Sequence, residues 1–164
     1  MQLTQQIAKH FREIISGGNW TCTNMKDVTN DITWQQATTQ IQNFNTIATL
    51  VYHTNYYVSA VLKVFAGETL NAKDELSFNH PPIHNQNDWK AMLNRCWQEA
   101  EQFANYIEQL PENQLWVYLS EEKYGNYYRN LHGIIEHMHY HLGQIVILKK
   151  IIQNQYTPEC DFQF

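Results

Sequence analysis

Two histidines near the end of the chain lie one helical turn apart. His137 and His141 belong to a Glu-His-x-x-x-His-x-Gly-Gln run over residues 136–144. On a helix, the Cβ atoms of such a pair lie roughly 5–6 Å apart, which allows two imidazoles to bind one metal ion. At about 100° per residue, the pair also falls within the apolar stripe that contains Ile134 and Ile145. The spacing therefore predicts two imidazoles that face the core.

Buried imidazoles need hydrogen-bond partners or a shared cation. An unmet buried polar group costs on the order of 1–3 kcal/mol. A metal ion would satisfy both rings of the His137 and His141 pair, and we favour that interpretation. The alternative is that each is a hydrogen-bonded core histidine.

A third ligand should come from another helix, and His53 is the best candidate. It lies in the middle of a helical segment that is apolar on nearly all sides. Its face of the helix includes the small residues Thr49 and Ala60, which leave space beside a buried ring. A hydrogen-bonded core histidine is again the alternative. His10 has charged neighbours, and His80 and His84 flank a Pro-Pro pair, so we prefer none of these three.

The other histidines of the last helix point elsewhere. His132 and His139 fall together on the outer side, at about 220° and 200° on the helical wheel when His137 is set at zero. Glu136 and His139 match half of the Glu-x-x-His motif of di-iron bundles, but these require a second copy. No other glutamate in the chain has a histidine three residues later. We therefore exclude a di-iron site.

Apolar residues recur at helical spacing in four segments, which predict four long helices. The first predicted helix contains Leu3 to Ile14 and ends at Gly17-Gly18. The second covers residues 44–66 and ends at Gly67. The third helix is capped by Asn87 and ends before Pro111. The fourth covers residues 126–153, with Pro158 after it.

The connections between these helices are long. Residues 19–31 read as a loop, and Thr33 with Gln36 forms a capping pair that starts a turn. Residues 68–87 show no period and predict a crossover connection, and residues 112–125 are irregular. The sequence predicts an all-α fold, a four-helix bundle with long crossover connections, in a single domain over residues 1–164.

Composition limits the partners. The net charge is −5 and there is no basic block to neutralise phosphates, so nucleic acid is not expected as a partner. No apolar run is long enough to span a bilayer, so we expect no membrane partner. The N-terminus lacks a charged start followed by an apolar stretch. We expect a cytoplasmic protein.

The histidine motifs resemble those of the DinB-like (DinB/YfiT) superfamily of metal-binding four-helix bundles. The shared features are a histidine within the second long helix, the Glu-His-x-x-x-His-x-Gly-Gln run in the last, and the crossover between them. The resemblance implies one divalent metal ion, zinc or nickel first, on His53, His137 and His141. Gln144 occupies the glutamine of the motif, where a role beside a metal ligand competes with that of a polar core residue.

The resemblance also implies what the site does. Some members of the superfamily transfer low-molecular-weight thiols to electrophiles, so we expect a metal-dependent thiol S-transferase with a small-molecule substrate. A metal-dependent hydrolase and a non-catalytic metal or small-molecule binding protein are the alternatives. A homodimer is implied as well. Tyr56 and Tyr57 flank the site region, but the sequence identifies no general acid or base.

Overall fold

The computed structural model describes residues 2–154, and this part of the chain is all-helical. Within it there are seven α-helices and no β-strand beyond one isolated bridge between Tyr118 and Asn126. Two short 3₁₀-helices, Glu112–Trp116 and Glu122–Tyr124, precede the last helix. The α-helices are α1 (Leu3–Ser16), α2 (Met25–Thr29), α3 (Trp34–Thr38), α4 (Ile47–Phe65), α5 (Asp74–Ser77), α6 (Gln86–Gln109) and α7 (Tyr127–Gln153).

The four long helices pack in a ring in which α1 and α4 each contact both α6 and α7. Stacked and edge-on aromatic rings join them, such as Phe11 of α1 with Phe103 of α6 at 4.8 Å between ring centroids. This packing is compatible with the predicted four-helix bundle, and the all-α prediction is confirmed for the described residues.

The directions of the helices follow from which residues meet. In α4 and α6, Asn55 contacts Glu99 and Phe65 contacts Phe103 further along, so the two helices are parallel. In α4 and α7, His53 meets His137 whereas Phe65 meets Tyr127, so these two are antiparallel. Parallel neighbours cannot be joined by a tight turn, and the chain must run back along α4 before α6 begins.

Residues 66–85 are that return connection. The backbone N–H of Lys73 donates to the Tyr56 hydroxyl at 3.0 Å, and the Ser77 hydroxyl lies 2.7 Å from His53. The segment therefore passes Tyr56 first and His53 next, in the direction opposite to α4. It contains the short helix α5, which the aperiodic sequence did not predict.

The core lies between the four long helices; α2 packs against α1 and α7, and α3 packs against α4 and α6. Its largest fully buried side chains include Trp89, Phe11, Phe103 and Met25. Burying a large apolar side chain stabilises the fold by about 1.5–3 kcal/mol. The indole N–H of Trp89 donates to the Ile32 carbonyl at 3.0 Å, which ties the segment between α2 and α3 to α6.

Several predicted helix ends are confirmed. Gly17 ends α1 with a φ of 98°, and Asn126 caps α7 through the Arg129 amide. Thr33 and Gln36 form the expected capping box at the start of α3. Helical periodicity and capping chemistry together located these ends.

Three predictions of local structure were wrong. The loop expected at 19–31 contains α2, which Asn24 caps. Helix α4 begins at Ile47 rather than at residue 44, because the Thr46 hydroxyl accepts from the Thr49 amide. Asn87 does not cap the third long helix.

No helix within residues 2–154 is long and apolar enough to cross a bilayer. The single-domain prediction for residues 1–164 stays a prediction, and Pro158 lies outside the described residues.

The cap of α6 is Asn85, whose side-chain oxygen accepts from the amides of Asn87 and Asp88 at 2.8 and 3.1 Å. We expect Asn85→Ala to lower the free energy of unfolding by about 1 kcal/mol, because two amide donors lose their partner. Asn87→Ala is the matched control and should change it by less than about 0.5 kcal/mol. Urea denaturation measures both. Equal losses in the two variants would contradict the assignment of the cap.

Candidate metal centre

The structure brings His53, His137 and His141 together. One ring nitrogen from each lies within 4.8 Å of the others, and this is the only such cluster found in the described part of the chain. His137 and His141 come from successive turns of α7, and His53 comes from the antiparallel α4. His53 is 4% exposed and His141 8%, while His137 is half-buried. Three nitrogen donors therefore meet where two helices face each other.

The hydrogen bonds of Ser77 fix the tautomer of His53. The Ser77 hydroxyl donates its single proton to the Asp74 carbonyl at 2.6 Å. It must therefore accept from Nδ1–H of His53, which lies 2.7 Å away. The other nitrogen, Nε2, then carries the lone pair.

Gln144 acts on His141 in the same way. Its side-chain carbonyl oxygen lies 2.7 Å from Nδ1 of His141 and accepts a proton from it. A carbonyl oxygen cannot donate, so Nε2 of His141 carries the lone pair as well. Metal-binding histidines almost always donate their other ring N–H in this manner, which orients the ring and fixes its tautomer. The hydrogen bond is compatible with a role beside a metal ligand and with a polar core pair, so the role of Gln144 stays a prediction.

The spacing of the donor atoms is compatible with a metal ion. Nε2 of His137 lies 2.9 Å from Nε2 of His53. Two nitrogens on one tetrahedral zinc lie about 3.3 Å apart, given Zn–N bonds of about 2.0–2.1 Å. The same 2.9 Å contact also permits a hydrogen bond between the two rings, which is the core-histidine alternative for this pair.

All three imidazoles favour their neutral form. Burial lowers the pKa of each ring, and the positive charge of its histidine neighbours lowers those of His53 and His137 further. For His137 the pKa falls to about 4. Neutral imidazole is the form that binds a metal. The cluster is therefore ready to coordinate at neutral pH.

Aromatic side chains enclose the cluster on one side. Phe78 stacks on His53 at 4.2 Å between ring centroids, and Tyr57 meets His53 and His137 edge-on at 5.3 and 5.0 Å. The Tyr57 hydroxyl donates to the Asp74 carboxylate. Burial and this hydrogen bond raise the pKa of Tyr57 to about 12, so it keeps its proton at neutral pH.

The sequence missed the residues that the crossover contributes. Asp74, Ser77 and Phe78 lie in the segment that showed no period, and nothing in their spacing pointed to His53. We expected small side chains to leave space beside His53, but Phe78 occupies one face of its ring. The space beside the His53 ring is therefore narrower than the small neighbouring side chains predicted.

His132 and His139 lie outside the cluster, as predicted, but they do not face solvent freely. Both are half-buried, because α1 packs beside them. The ring of His139 lies 5.9 Å from that of His10 on α1. The prediction that His132 and His139 point outward was therefore wrong about how far these two side chains are exposed to solvent.

Comparisons of the chain with protein-family models, with curated proteins and with solved structures found no match. The DinB-like resemblance thus stands on the two histidine motifs and the order of the helices. The homodimer and the cytoplasmic location stay predictions too.

We expect chelator-treated protein to bind zinc or nickel at about one ion per chain. Replacing His137 or His141 with Ala should abolish binding, because only three protein donors are present. Isothermal titration calorimetry would measure both the stoichiometry and the loss.

His139→Ala and His132→Ala are the matched controls on the same helix and should bind as the wild type does. Absence of binding to the wild type would leave three hydrogen-bonded core histidines. A loss in His139→Ala as large as in His141→Ala would contradict the choice of ligands.

Ser77→Ala and Gln144→Ala should each weaken metal binding by about 10- to 100-fold, because each removes the acceptor that orients a ligand ring. Ser59→Ala removes a comparable hydroxyl on α4 that bonds to Glu99 instead. It should leave the affinity unchanged. Competition with a chromogenic chelator measures the three affinities, and an unaffected Ser77→Ala variant would contradict the orienting role.

Proposed function

We propose that this protein is a DinB-like metalloprotein that binds one divalent metal ion, zinc or nickel, through His53, His137 and His141. The observation that carries the proposal is the pair of fixed tautomers. Ser77 and Gln144 accept the Nδ1 protons of His53 and His141. One ring nitrogen from each of the three histidines lies within 4.8 Å of the others, and a cation bound there would accept their lone pairs.

The order of the elements supports the DinB-like assignment. The first ligand lies in the middle of the second long helix, the other two lie in the last, and a long crossover separates the second and third long helices. Each of these features is one that the resemblance implies.

We further propose that the site is catalytic. Three neutral histidines leave coordination positions open, as catalytic rather than closed structural sites do. When bound, the metal supplies a Lewis acid that lowers the pKa of a thiol or of water. The residues of the chain hold the donor atoms in place, and Phe78 and Tyr57 limit the access of water on one side.

Transfer of a low-molecular-weight thiol is the reaction that we favour. The thiol loses its proton to solvent, its sulfur forms a bond to an electrophilic carbon, and the leaving group departs with its electron pair. This reaction needs no protein base once the thiol is ionised.

Hydrolysis is the second enzymatic candidate, and it makes a further demand. A leaving alkoxide or amine usually requires a proton donor. Two hydroxyls lie beside the cluster, and the proton of each is engaged: Ser77 donates to the Asp74 carbonyl, and Tyr57 donates to the Asp74 carboxylate with its pKa raised to about 12. The environment of Tyr57 thus favours thiol transfer over hydrolysis.

We expect the metal-loaded protein to accelerate conjugation of a small thiol to monochlorobimane. Glutathione, cysteine, bacillithiol, mycothiol and coenzyme A form the panel, and fluorescence follows the product. The rate should fall to that of the chelated protein in His53→Ala, because this variant lacks one of three ligands.

His139→Ala is the control that keeps the ligands and should keep the rate. If metal binds but none of the five thiols reacts faster than with chelated protein, the transferase proposal fails. A non-catalytic metal-binding protein is then the better description, and the metal site itself is unaffected by that result.

A further inference from the structure

A second site is suggested by a cavity of about 450 Å³ between α4, α6 and the crossover. Its volume lies in the range of small-molecule sites. None of the three clustered histidines is among the described residues that line it. It is therefore separate from the candidate metal centre, although both adjoin α4.

The guanidinium of Arg95 lies at this cavity and is held by an ion pair. Arg95 lines it, and its Nε donates to the Glu99 carboxylate at 2.8 Å. The other oxygen of Glu99 accepts from the Asn55 amide at 2.6 Å and from the Ser59 hydroxyl. The bond to Glu99 uses Nε, so the two Nη groups of Arg95 are left to form a fork for a planar oxyanion.

The network holds Glu99 in its charged form. Burial raises the pKa of this carboxyl, but hydrogen bonds from Ser59, Arg95 and Asn55 bring it below its ordinary value. The Arg95 side chain is 67% exposed, and the ion pair with the fixed Glu99 carboxylate favours the rotamer that lies at the cavity, which lowers the entropy lost when a ligand binds.

A second cation, Lys63, also lines the cavity. The one carboxylate in the lining, Asp88, accepts from the His84 amide and the Asn85 side chain at 2.9 and 3.0 Å. These bonds occupy one oxygen of Asp88 and leave its charge in place. Because Asp88 and the Glu99 partner of Arg95 balance the two cations, an anion would be recognised through the N–H groups of Arg95 and Lys63 rather than through a net positive charge.

The remaining walls suit an apolar or planar body. Tyr52 and Tyr56, with ring centroids 6.5 Å apart, form one side. Ile83, Met92 and the buried Cys96 contribute apolar surface. A pocket with mostly apolar walls and a few placed polar groups is typical of a small-molecule site.

We propose that this cavity binds a small organic acid, whose carboxylate or phosphate is held by Arg95 with Lys63 as the second cation, and whose apolar body lies against Tyr52, Tyr56 and Met92. The proposal does not rest on the metal or on the transferase activity.

Three matched probes test it: 2-naphthoate, 2-naphthyl phosphate and the neutral 2-naphthamide. The protein is treated with chelator first, so that no carboxylate binds through a metal. Saturation-transfer NMR and calorimetry should show binding of at least one anion, and the amide should bind about tenfold more weakly or not at all, because the charged hydrogen bonds contribute about 1.5–3 kcal/mol. The anion that binds more tightly identifies the class of ligand.

Arg95→Gln should weaken binding of the preferred anion at least about tenfold. Arg129→Gln, an arginine on α7 outside the lining, is the matched control and should stay within about twofold. Ala91→Phe offers a second test, since Ala91 is an exposed residue at the cavity. A phenyl ring there should block binding without loss of fold.

Three results would overturn the proposal. The first is that neither anion shows saturable binding at millimolar concentration. The second is equal affinity for the more tightly bound anion and for 2-naphthamide. The third is unchanged binding in both Arg95→Gln and Ala91→Phe, which would place the probe elsewhere on the protein.

Discussion

His53 donates its Nδ1 proton to Ser77, and Ser77 donates its own to the backbone of Asp74. This short chain of hydrogen bonds decides which nitrogen of His53 faces His137 and His141. It also holds the crossover against α4, and it places Phe78 on the face of the His53 ring. The chemistry of the cluster and the path of residues 66–85 therefore have the same origin.

The parallel pairing of α4 and α6 explains why the crossover lies there at all. Two parallel neighbouring helices need a connection as long as the helices themselves. Such a connection runs back along the helices and packs against their surface. Along α4 it covers the histidine cluster with Asp74, Ser77 and Phe78. Further on, at residues 81–83, it closes the cavity beside α6. One topological requirement thus supplies walls for two candidate sites.

The sequence predicted the features that repeat or that depend on near neighbours. Helical periodicity placed His137 and His141 on one face and located the start of α7, and capping chemistry located the start of α3. It could not predict the contact of Ser77 with His53, because an irregular segment has no period from which its partner could be inferred. The network around Glu99 was missed for a related reason. Its partners Asn55 and Ser59 belong to a helix 40 or more residues earlier, and only the parallel pairing brings them together.

The crossover touches a ligand of the first candidate site and forms a wall of the second. Any shift of residues 66–85 on occupation of one site therefore alters the free energy of binding at the other. Such coupling is reciprocal by thermodynamic necessity. If a metal ion changes the affinity of the cavity for an acid by some factor, the acid changes the affinity of the histidines for the metal by the same factor. If both proposed sites bind their ligands, this one connection with its short helix α5 links the two binding equilibria.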